Sequence, residues 1–141
     1  MILDCTAHDD VLHDLEHFLW HDTKRFFSIS LGFRARRLFC FTADDTRFPH
    51  AVFSEALEPW LKRELEEYAG QELPRAGIGC WHPVFPARAD DVWMMASVAV
   101  KYIESVMTAS PTEPMLTVFE QQFEPDVFTG IRRISSEAGH T

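Results

Sequence analysis

Between residues 27 and 41 the chain is patterned like a β-hairpin, and the rest of the sequence must fold around that unit. Phe27, Ile29, Leu31 and Phe33 alternate with Ser28, Ser30 and Gly32, and Leu38, Phe39, Cys40 and Phe41 follow a polar link over 34–37. Successive side chains of a strand point to opposite faces, so this period of two predicts a half-buried strand and then a second one paired to it.

Helical spacing flanks the hairpin on both sides. Val11, Leu12, Leu15, Phe18 and Leu19 recur at 3.6-residue spacing and predict an amphipathic helix over 9–22, with Asp9 or Asp10 at the end where the macrodipole favours acid. The loop-forming stretch 44–50 precedes a second helical pattern over 51–69, with Phe53, Leu57, Leu61, Leu65 and Tyr68 on one side. Proline is best tolerated at a first helical position, so Pro59 predicts a short turn of helix and then a main helix from 59 to 68, ended by Gly70. Residues 78–81 read as a short strand entering a loop restrained by Pro83 and Pro86. The run 91–107 is apolar on nearly all sides, with only Lys101 and Glu104 charged after its first turn, which predicts a helix buried in the protein or in a homodimer interface. A strand over 115–123 follows, and 127–134 fits either a strand or a helix begun at Pro125. The expectation is one α+β domain over 1–134 in the order α-β-β-α-β-α-β, a small, largely antiparallel sheet packed against two or three helices, with a frayed tail over 135–141.

Charge narrows the partners. The 22 acidic side chains outnumber the 13 Lys and Arg, and the net charge of -9 disfavours nucleic acid and anionic lipid while attracting a basic protein. No apolar run reaches the roughly 18 residues of a membrane-spanning helix, and the first residues lack the pattern of a secretory signal, so a cytoplasmic location without membrane attachment is expected. Cys5, Cys40 and Cys80 are odd in number and widely spaced, which points to reduced thiols rather than disulfides or a cysteine-rich zinc site.

Four features could carry chemistry. On the first helix Asp10, His13, His17 and His21 form a stripe opposite the apolar one, with Asp14 and Trp20 toward the same outer side. This stripe is the candidate partner-binding surface. Its alternative is zinc on His13 and His17, whose i, i+4 spacing suits two ligands; His13 and His21, about 12 Å apart along a helix, cannot share an ion. The second feature is Cys80 with His82, which share one side of an extended chain and could act as thiolate and base. The third, Arg34, Arg36 and Arg37, fits salt links to the acidic elements or a grip on one anion better than nucleic acid. The last is the apolar helix around Trp93, Met94 and Met95, read as core or as a self-association surface. Strong acidity, small size and the lack of a recognised catalytic motif favour a non-enzymatic acidic binding domain without a cofactor, of the inhibitor or immunity type that masks a basic toxin or nuclease. The alternative is a small metal- or thiol-dependent enzyme using the first-helix histidines or Cys80 and His82.

Overall fold

The computed structural model describes residues 1–69, 87–110 and 113–134. Its elements are β1 (Ile2–Asp4), α1 (Asp9–His17), β2 (Lys24–Leu31), β3 (Arg37–Asp45), α2 (His50–Glu67), α3 (Ala89–Met107), β4 (Met115–Phe123) and β5 (Phe128–Ile134), with a single 3-10 turn, Phe33–Ala35, between β2 and β3. The strands form one sheet in sequence order, antiparallel throughout except for the parallel pairing of β1 with β2. The expected α+β class, hairpin and antiparallel sheet are all present. The undecided segment near the end is a strand.

Both faces of the sheet are covered. Phe26, Phe41 and Ala43 join Leu12, Phe48 and Phe53 on the side of α1 and α2, where Phe39 and Val118 also meet Trp60. Phe27, Ile29, Leu38 and Cys40 point the other way, to Met95 and Ala99 of α3. Adjacent large residues such as Phe26 and Phe27, or Phe39, Cys40 and Phe41, therefore each have a core to enter. β2 is consequently not half-buried as its alternation suggested: Ser28 is buried too, and its hydroxyl donates to Asp4.

Several elements depart from their sequence expectation for identifiable reasons. The first helix stops at His17, not at 22, because the backbone turns extended at Phe18 and places the Trp20 amide on the Thr46 carbonyl at 3.0 Å. Phe18 and Leu19, assigned to the core stripe, are more than half exposed, while Leu12 is buried. α2 runs unbroken through Pro59. A proline in a helix removes one hydrogen bond to the carbonyl four residues earlier, and here both Pro59 and Glu55 face solvent, so water can satisfy that carbonyl. The buried side of α2 is Phe53, Trp60 and Glu64, with Leu57 partly buried, rather than the exposed Leu61 and Leu65. α3 buries Met95 and Ala99 but leaves Trp93 75% exposed, so its apolar girth is not enclosed on all sides among the described residues. The predicted strand over 78–81, the pair Cys80 and His82, and the tail over 135–141 lie outside the described residues.

Candidate functional site

Of the proposed surface stripe, the structure keeps one turn together. His13 and His17 share a face of α1 with ring centres 4.1 Å apart. Asp10 and Asp14 are exposed on the same helix, Asp10 in its first turn 3.7 Å from His8. His21 lies beyond the helix end and does not continue the stripe. Trp20 is no outward anchor: it packs against the core cluster of Leu12, Phe26 and Phe41, with its indole nitrogen buried. Glu16, which imidazole spacing alone did not single out, brings a carboxylate oxygen within 4.8 Å of ligand nitrogens from both His13 and His17. From the start of α2, His50 lies 3.9 Å from that carboxylate. The signal for Glu16 was present in its position three residues after His13; nothing in the sequence pointed to His50.

The arginine cluster resolves into structural roles. Arg37, 1% exposed, donates from Nε to Glu120 at 2.6 Å, from Nη1 to Glu64 and from Nη2 to Glu67 at 2.7 Å. Glu64 also accepts the Phe33 amide at 2.9 Å, so one buried carboxylate holds both the guanidinium and the β2–β3 turn. That turn carries Arg34 and Ala35 at positive φ, a conformation rarely adopted by residues with a side chain. It persists because Gln121 clamps it, the side-chain amide donating to the Ala35 carbonyl and the backbone amide to that of Arg36. Gly32 leaves room for this carboxylate: a Cβ there would lie 3.0 Å from Glu64, tighter than an ordinary contact. Arg34 lies over the Tyr68 ring. Arg25, elsewhere on the sheet, grips Asp44 through two hydrogen bonds of 2.8 Å and donates to the carbonyls of Val106 and Ala109 at the end of α3.

The described thiols differ sharply. Cys40 is fully buried, and burial, with a smaller contribution from Cys5, pushes its thiol up to about 12. Since the thiolate is the nucleophile, Cys40 is inert at neutral pH. Cys5 is exposed. Alkylation with iodoacetamide under native conditions, followed by peptide mass mapping, should therefore modify Cys5 and spare Cys40, with Cys40 reacting only after denaturation.

The class defined so far is a small α+β domain whose single sheet is sandwiched between α1 and α2 on one face and α3 on the other. No family model matches the chain. Over 109 residues, 77% of its length, it is 43% identical to a protein of Enterobacter hormaechei subsp. hoffmannii (strain UCI 50) described as the ATP-dependent ubiquitin transferase-like protein Cap2. The matched stretch is 18% of that protein, so the chain spans less than a fifth of its relative. A match of this length within 141 residues takes in the middle of the chain, β3 through α3, wherever its ends fall.

This likeness overturns the expectation of a non-enzymatic inhibitor or immunity-type protein. The sequence leads to a protein described as transferase-like, whereas net charge and the phase of one helix report only on encounter with partners, not on chemistry. Among the described residues no helix is long and apolar enough to cross a membrane.

Proposed function

We propose that the chain contributes the group-transfer part of a ubiquitin transferase-like activity, acting with protein partners in the cytoplasm. The observation that carries this reading is the 43% identity with Cap2 through the middle of the chain. Transfer of an acyl group through a covalent carrier calls for an accessible thiol with a base beside it. Cys40 is ruled out as that thiol by its burial and raised pKa. Cys80, with His82 two residues on, is the pair within the matched region that suits the chemistry. In this scheme His82 takes the thiol proton, the Cys80 thiolate attacks an activated C-terminal acyl group, and the activating group departs as the thioester forms. An amine of the acceptor then attacks the thioester, the amide forms, and the thiol is regenerated. In this scheme ATP-dependent activation is assigned to protein outside the matched stretch, which is 18% of the relative.

The test is a chimera in which this chain replaces the matching stretch of Cap2. ATP-dependent conjugate formation should persist in the chimera, be lost on Cys80→Ser and survive Cys5→Ser. A reductant-labile adduct on the chain should become a reductant-stable oxyester in Cys80→Ser. A folded chimera that forms no conjugate, or one unaffected by Cys80→Ser, would overturn the proposal.

A further inference from the structure

We propose that His13, Glu16 and His17 form a zinc-binding site on the last two turns of α1, with His50 of α2 positioning the glutamate. One nitrogen from each histidine and one oxygen from Glu16 all lie within 4.8 Å of one another. Zinc holds such atoms at about 2.0–2.2 Å, so tetrahedral neighbours sit about 3.3 Å apart, and modest side-chain rotations close the remaining gap. Two imidazoles and one carboxylate are a donor set that zinc accepts with a fourth position left open.

Three features of the fold prepare this cluster. His17 Nδ1 lies 2.8 Å from the His13 carbonyl oxygen. A carbonyl can only accept, so Nδ1 carries the proton, and in the neutral ring Nε2 retains its lone pair for a metal. This outer hydrogen bond to a ligand histidine is the usual means of fixing ring tautomer and orientation in metal sites. Second, the ligands sit toward the C-terminal end of α1, where unpaired carbonyls favour positive charge. Third, Glu16 is not a freely solvated carboxylate. Its side chain is 38% exposed and that of His50 29%, and the two come within 3.9 Å. The neighbouring backbone is tied in by the Phe48 amide on the Leu15 carbonyl and the His50 amide on the Phe48 carbonyl. The site therefore stands on two elements docked to a common core, not on one free helix.

The measurement is calorimetric titration of the chelator-treated full chain with zinc chloride, in a Cys5→Ser, Cys80→Ser background so that thiolate binding does not enter. One zinc per chain is expected. The double variant His13→Ala, His17→Ala should lose this binding while keeping the native circular dichroism, since both residues are exposed. Glu16→Gln should weaken it with the fold intact, and His50→Ala, which removes the neighbour 3.9 Å from the Glu16 carboxylate, should weaken it less than Glu16→Gln does. His8→Ala and His21→Ala, which flank α1, should bind as the parent does. Substitution with cobalt should give tetrahedral d–d bands that disappear in the double variant. Absence of zinc binding in the parent, or binding undiminished by His13→Ala, His17→Ala, would overturn the proposal. Neither result bears on the Cys80 scheme, which uses none of these residues.

Discussion

Replacing Arg37 by alanine is expected to lower the free energy of unfolding by about 3–5 kcal/mol, the range for removing one partner of a buried ion pair. The magnitude follows from what the substitution leaves behind. Glu64 is 3% and Glu120 8% exposed, and both would keep a carboxylate with no cation against it. Although burial works against it, Arg37 is held even more firmly protonated than an ordinary arginine by its hydrogen bonds to Glu67 and Glu64, so its guanidinium stays charged at all accessible pH. The loss should be measured by urea denaturation with the slope compared between variants. The double variant Arg37→Ala, Glu64→Ala should cost less than the two single losses combined, by about 0.5–3 kcal/mol, because it removes one of the stranded carboxylates. Strict additivity would mean that Glu64 acts chiefly through the Phe33 amide and not through the ion pair.

The same cluster sets a pH dependence. The hydrogen bond from Arg37 is the main reason that the Glu67 carboxyl lies below its ordinary value of 4.5, with Arg63 adding to the effect. A depressed folded-state pKa contributes stability that is present above the unfolded value and lost as pH falls through the folded one. The stability gap between the parent chain and Arg37→Ala should therefore be widest near neutral pH and narrow as the pH is lowered below about 4.5.

What could be read in the sequence was whatever depends on local period. The hairpin followed from alternation around Ser28 and Ser30, and the strand over 115–123 was placed at the bounds it has in the structure, Met115–Phe123. Features decided by distant contacts were not legible. β1 is three residues long and joins the sheet only through pairing with Phe26, Phe27 and Ser28, which no periodic signal announces. The early end of α1 is set by a hydrogen bond from Trp20 to Thr46, and the continuity of α2 through Pro59 by the packing of Phe53 and Trp60. The Arg37 cluster joins residues 27, 30 and 83 positions away. Charge count pointed to a basic partner, yet part of the acidity is spent inside the fold on that one arginine. The histidine pair was legible from its i, i+4 spacing, but its carboxylate neighbour needed the rotamers of α1 and its second-element partner needed the tertiary structure.

Phe41→Ala is expected to cost about 3–5 kcal/mol, the range for emptying a large aromatic site in a well-packed core. Phe41 has no exposed surface, and its ring packs edge-on against Phe48 at 5.8 Å and Phe53 at 5.2 Å between centres. Small domains hold only about 5–15 kcal/mol in all, so this loss is a large share of the total. Phe41→Leu, which keeps most of the apolar volume, should cost distinctly less. The cavity would also open at a particular place. Phe48 precedes α2, Phe53 lies in its second turn, and Leu12 of α1 belongs to the same cluster, whereas α3 packs on the opposite face of the sheet. Hydrogen exchange should therefore accelerate first in α1 and the beginning of α2, while amides shared by β3 and β4 retain more protection. If protection fell equally across the sheet and α3, the two faces would be unfolding as a single unit. Preferential opening beneath α1 would instead show that this one aromatic cluster holds α1 and the start of α2 on the sheet, and zinc binding at the proposed site on α1 is then expected to weaken in Phe41→Ala.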